Sequence, residues 1–74
     1  MIKIITKKQE LIRALARYGS NQKQFAGKIG ISYFHFNKII NGTASPSNEV
    51  AKKITQELGK EFDDLFEIEA ETGR

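Results

Sequence analysis

The chain has 74 residues, 12 Lys and Arg against 9 Asp and Glu, and a formal net charge of +3. That length allows one small domain, which buries only about 60% of its unfolded surface, so its thin core calls for tight helix packing or a partner chain. With no cysteine there is no disulfide and no cysteine zinc site, no apolar run approaches the roughly 20 residues that span a bilayer, and no secretory signal is visible, all of which fits a cytoplasmic chain.

Met1 to Ile5 is apolar except for Lys3 and rich in β-branched residues, so it reads as an edge strand. Thr6 and Gln9 have capping-box spacing, with Thr6 as N-cap, and predict a first helix over about Lys7 to Tyr18. Leu11, Ile12, Leu15 and Ala16 make its core stripe, and Gly19 ends it. Asn21 and Gln24 repeat the box before a second helix, about Gln22 to Ile29, with Phe25, Ala26 and Ile29 facing inward. Gly27 costs this helix about 1 kcal/mol relative to Ala, and a close approach of another backbone is one reason for it. Gly30 turns the chain sharply, Ile31 plugs the corner, and Ser32 caps a third helix, about Ser32 to Asn41. Phe36, Ile39 and Ile40 are its core residues, and Asn41-Gly42 ends it.

Ser45 as N-cap with Pro46 at the first helical position predicts a fourth helix. Glu49 lies in its first turn. Val50, Ala51, Ile54 and Leu58 form its buried stripe, and Gly59 ends it. Phe62, Leu65 and Phe66 indicate a last short turn, about Glu61 to Leu65. Phe66-Glu67-Ile68-Glu69 then alternates with period two and could pair with Ile2-Lys3-Ile4, bringing Lys3 near Glu67 or Glu69. An isolated two-stranded ribbon is marginal in water, so it must lie on the first helix or on a second subunit. Ala70 to Arg74 reads as a frayed tail. The expected fold is therefore all-α, one five-helix domain over residues 1–74, with an acidic C-terminal segment at 67–74 and room for a short terminal ribbon.

Charge is distributed unevenly. Residues 1–60 hold eleven Lys and Arg and three Asp and Glu, a balance of +8, whereas residues 61–74 balance at −5. A basic body of this kind suits a polyanion on one face, although an ordinary solvated surface has the same composition.

The third helix carries more than a core stripe. Tyr33, Phe34, Asn37 and Lys38 form an outward row. A major groove about 12 Å wide admits one α-helix, where Lys38 can donate to guanine O6 and N7 and Asn37 can pair with an adenine edge. Phe34 and Tyr33 can pack against thymine methyls, and the Tyr33 hydroxyl can reach a phosphate. Gln22 opens the second helix, where free N–H groups and the helix dipole favour a phosphate. Lys23, Lys28 and the Asn41-Gly42 turn flank the same path. The opposing reading makes Tyr33 and Phe34 a contact for a protein partner, since exposed aromatic pairs usually mark some partner. His35 is the only histidine, with no cysteine beside it, so a groove-edge or phosphate contact fits it better than a metal. Asp63 and Asp64 are sequence neighbours and do not share a helix face, so no acid pair suggests an enzyme. No cofactor and no metal is expected.

These residues resemble the phage repressor/Cro, or Xre-type, helix-turn-helix family over about Leu11 to Phe66. The fragments are Asn21-Gln22, Phe25-Ala26, Ile29-Gly30-Ile31-Ser32, Ile39-Ile40-Asn41-Gly42, Pro46-Ser47, Leu58-Gly59 and Asp64-Leu65-Phe66. Each is weak alone; together, at these spacings and without a gap, they are specific. The resemblance implies a lambda-repressor-like fold with a DNA-reading unit at 21–41. It implies base contacts from Tyr33, Phe34 and Lys38, with Asn37 beside them. Phosphate contacts are expected from Gln22, Lys23, Ser32, His35, Asn41 and Thr43. It also implies a transcription regulator of bacterial or phage origin, bound to double-stranded DNA as a homodimer on paired half-sites. The alternative is the same fold used as an antitoxin-like or anti-regulator adaptor. Thr43 and Ala44 stand where the family often has Lys or Arg, Ile40 replaces a usual Glu, and Asn48 and Lys52 replace frequent leucines. Tyr33-Phe34 is more apolar than the usual recognition pair.

Overall fold

The computed structural model describes residues 2–70, in the order β1 (Ile2–Thr6), α1 (Lys8–Tyr18), α2 (Gln22–Ile29), α3 (Tyr33–Asn41), α4 (Asn48–Leu58), α5 (Phe62–Leu65) and β2 (Phe66–Ala70). The five helices stand where the periodicity places them. Three of the starts and stripes differ in detail, each for a tertiary reason.

The first difference is Thr6. It does not cap α1; it is the last residue of β1, paired with Phe66, and Lys7 takes the N-cap position without a side-chain cap. The Lys7 N–H instead donates to the Leu65 carbonyl at 2.8 Å, and its Nζ donates to the Asp63 carbonyl at 2.7 Å. Pairing with β2 and this clasp to α5 hold the residue extended, and the strand claims the β-branched Thr6. The Thr6 hydroxyl is left buried with no hydrogen-bond partner.

The second difference is the face of α1. Leu11, Ala14 and Leu15 are buried, with Tyr18 packed beside them, an i, i+3, i+4, i+7 stripe. Ile12 lies one step round the helix and is 41% exposed, and Ala16 is exposed as well.

The third difference is the start of α4. Ser47, not Ser45, is its N-cap, and its Oγ accepts from the Val50 N–H at 3.2 Å. Pro46 is buried just before the cap, where an apolar side chain fixes the entry of the chain. Ala51 and Ile54 are buried as expected, while Val50 and Leu58 pack at the margin. Thr55 completes the buried face, its hydroxyl donating to the Lys52 carbonyl at 3.0 Å. Asn48 and Lys52 are exposed, so the replaced leucines leave that helix face to solvent.

The ribbon is antiparallel, with Lys3 opposite Glu69, Ile4 opposite Ile68 and Ile5 opposite Glu67. Opposite charges across a strand pair support this register. Ile4 is buried in the core while Ile68 across from it is 58% exposed, and Phe66 at the start of β2 is fully buried, so Ile4 and Phe66 anchor the ribbon to the helices. Phe66 to Glu69 form a strand as the alternation indicates, and Ala70, expected to start a frayed tail, belongs to the same strand; the remainder of that tail, 71–74, lies outside the described residues, as does Met1.

Phe25, Phe36, Phe66, Leu11, Ile39, Ile40, Ile54 and Leu65 are fully buried. Phe25 stands at the crossing of three helices. Its ring stacks on Phe36 with centroids 5.3 Å apart and meets Tyr18 edge-on at 5.5 Å. Aromatic pairs in these geometries add to the burial of their area. They join α1, α2 and α3 into one rigid corner.

Candidate nucleic-acid interface

The corner is built locally before it is packed. Asn21 and Gln24 form the expected capping box, Asn21 Oδ1 accepting from the Gln24 N–H at 2.8 Å. At the other end of α2, Gly30 has φ +82, a left-handed conformation that L side chains rarely adopt. The Ile31 N–H closes back on the Ala26 carbonyl at 3.0 Å, a helix stop that lets α3 leave at a sharp angle. Ser32 Oγ accepts from the His35 N–H at 3.0 Å and starts α3. Ala26 is buried at the crossing. Gly27 serves no such contact among the described residues, since a Cβ there would meet nothing within 4 Å.

Once Phe36, Ile39 and Ile40 face inward, the helical period leaves one strip pointing out. Phe34 is 77% exposed and Tyr33 43%, with ring centroids 5.9 Å apart. Lys38 is exposed and takes part in no ion pair among the described residues. From Leu11 through Asn48 the chain has no Asp or Glu, while Arg13, Arg17, Lys23, Lys28 and Lys38 fall in that span. Both helices of the corner are therefore free of carboxylates, and nothing on them repels a polyanion.

Each helix start also offers donors. The first backbone N–H groups of a helix have no partner inside it. The caps take those of Gln24 and His35, which leaves the N–H groups of Gln22 and Lys23 on α2, and of Tyr33 and Phe34 on α3, to an outside acceptor. Gln22, Lys23 and Tyr33 line one shallow depression together with Asn21.

The expected contact residues divide into two kinds. Tyr33, Phe34, Lys38, Lys23, Ser32, His35, Asn41 and Thr43 are exposed, whereas Gln22 and Asn37 are half-buried. Asn37 Nδ2 donates to Gln22 Oε1 at 3.1 Å, and Asn41 Nδ2 donates to Asn37 Oδ1 at 3.2 Å. Both ends of the Asn37 amide are thus engaged, its Nδ2 across the turn to α2 and its Oδ1 within α3. Thr43 Oγ1 donates to the Lys38 carbonyl at 3.2 Å, so this hydroxyl clasps the end of α3. The half of the network within α3 was legible, because Asn37 and Asn41 are four apart on one face. The bond to Gln22 spans the turn and has no local signal.

Lys28 is drawn to the other side of the corner. Its Nζ lies 5.5 Å from the Tyr18 ring centroid and 3.9 Å from Glu57 Oε2, and the Tyr18 hydroxyl donates to the same Glu57 oxygen. The Tyr18 hydroxyl and then the Glu57 carboxylate raise its pKa above the usual lysine value. Lys28 links α1, α2 and α4 instead of flanking the Gln22 path.

Among the described residues, no group of three or more His, Asp or Glu is placed to hold a metal ion, and no helix is long and apolar enough to cross a membrane. A family model described as helix-turn-helix matches residues 11–65. No curated protein and no solved structure matches the chain.

Proposed function

The chain belongs to the Xre-type, or Cro/C1-type, helix-turn-helix family of DNA-binding transcription regulators, and from that premise we propose how its surface reads DNA. The helix α3 lies in the major groove. Lys38 donates to guanine O6 and N7, and Phe34 and Tyr33 pack against thymine methyls. Gln22 and Lys23 at the start of α2 hold one stretch of phosphate backbone, with Ser32 and His35 beside them. Asn41 holds another at the end of α3, where the Thr43 N–H and hydroxyl are both spent on the Lys38 carbonyl. Two subunits bind as a homodimer on half-sites about one helical turn apart, in the manner of a repressor or Cro protein.

One observation carries this reading. Tyr33, Phe34 and Lys38 are exposed in a row on a helix whose other face is fully buried, with no carboxylate on either helix of the corner. Selection of binding sequences from random duplex DNA tests it. The expected result is an enriched, two-fold related motif; folded protein that enriches none at low salt would refute it. Sedimentation with and without the selected duplex tests the dimer, and a monomer on DNA at high micromolar concentration removes it.

The exposure of Phe34 supports a second reading, in which the same row docks a protein. Recovery of partners from extract with and without nuclease separates the two. Binding that survives complete DNA removal and is lost in Phe34→Ala favours the adaptor.

A further inference from the structure

We propose that Asn37 is a positioning residue rather than a base reader: it brackets Gln22 and Asn41 and sets the polarity with which both face the DNA backbone. The inference rests on the DNA-reading function proposed above.

The argument is one of donors and acceptors. A side-chain amide has one carbonyl oxygen and one NH2 group. Asn37 Nδ2 donates to Gln22 Oε1 at 3.1 Å, which occupies the oxygen of Gln22. The free end of Gln22 is then its Nε2, with two N–H donors, beside the open backbone donors of the α2 start. At the other end, Asn37 Oδ1 accepts from Asn41 Nδ2 at 3.2 Å. Asn41 is exposed and keeps its second N–H for an outside acceptor. Without the bracket, either amide could turn its oxygen toward a phosphate, which repels it. With the bracket, both present N–H to an anion before it arrives. Half-burial of Gln22 and Asn37 strengthens these bonds relative to the open surface and holds the three side chains as a unit.

The arrangement also couples the two helices of the corner through their outer surfaces. Gln22 belongs to α2, and Asn37 and Asn41 to α3. The phosphate path at the start of one helix and that at the end of the other are therefore held at a fixed spacing, and this spacing decides how deeply Lys38 and Phe34 enter the groove.

Three roles have three different signatures. A base reader, when removed, relaxes preference at one base pair. A lysine on a phosphate, when removed, lowers the salt slope. A neutral positioning amide changes neither: no counterion is released on its account, and no base is touched. Asn37→Ala is expected to weaken binding roughly tenfold on every sequence, with the base preference and the salt slope unchanged. Gln22→Ala is expected to do the same, and the double variant to lose little more than either single one, because the second change removes a contact already lost. Asn37→Asp, which accepts from Asn41 but cannot donate to Gln22 and adds a carboxylate to a corner that has none, should weaken binding on every sequence more than Asn37→Ala does. Thermal unfolding of each variant separates this from loss of fold.

The network is read in the free protein as well. Gln22→Ala should shift the side-chain amide resonances of Asn37 and, one step further, of Asn41. Additive losses on DNA, or relaxed preference confined to one base pair in Asn37→Ala, overturn the proposal, as does the absence of any shift at Asn41. A chain that shows the shifts but selects no duplex refutes the functional reading and the DNA role of Asn37 together, while leaving the bond network itself established.

Discussion

Replacing Lys38 with Ala tests the reading helix with little collateral effect. Lys38 is exposed and free of ion pairs among the described residues, so its side chain contributes little to folding. Its carbonyl does hold the helix end, accepting from the Thr43 and Ala44 N–H groups at 3.0 and 3.2 Å and from Thr43 Oγ1. Alanine keeps that carbonyl and is a slightly better helix former. Stability should stay within about 0.5 kcal/mol of the parent. On DNA, a two-point contact to guanine contributes about 1–3 kcal/mol of discrimination, which is about 5- to 150-fold in relative affinity. The expected outcome is that preference for guanine collapses by that factor at one position of each half-site, while other positions hold. The assay is affinity against a panel of single-base variants of the selected site, each at several salt concentrations. A uniform loss over all sequences, with the slope of log K against log salt reduced by about 0.9, would move Lys38 onto the backbone. No change on any sequence would remove α3 from the groove.

Three further outcomes follow from other parts of the molecule. Lys23→Ala should weaken all sequences alike and reduce the salt slope by about 0.9, as measured by the same titrations. Ser47→Ala should cost about 1 kcal/mol in a denaturant titration, and Ser45→Ala close to nothing; equal costs would contradict the observed cap. Thr6→Val removes a buried hydroxyl that has no partner and should stabilise by about 1 kcal/mol, or about 4–8 °C in melting temperature; a loss of stability would mean the hydroxyl is satisfied.

Much of the fold could be read from short-range patterns, and the reasons differ by element. Asn21 and Gln24, Gly30, Ser32 and Gly42 act within one helical turn, through bonds between residues three to five apart, so their roles follow from spacing alone. The inward stripes of α2 and α3 followed from the helical period, and their outward row followed by subtraction. The Lys3–Glu69 pairing was within reach because both segments alternate with period two and carry opposite charges. Thr6 misled because a distant partner, β2, displaced a plausible local role; Ser45 misled because two serines flank Pro46, and with Pro46 buried it is Ser47 that reaches the first turn of α4.

The sequence by itself determined the five helices, the sharp corner at Gly30 and the residues that α3 turns outward, because turns, caps and periodicity are settled by neighbours along the chain. Only the tertiary structure decided that Ile12 faces solvent while Ala14 is buried, that Thr6 belongs to a strand, that Lys28 turns to Tyr18 and Glu57, and that Asn37 spends its amide on Gln22 and Asn41. Those outcomes rest on competition among partners far apart in the chain, where burial and hydrogen bonding across elements outweigh local preference.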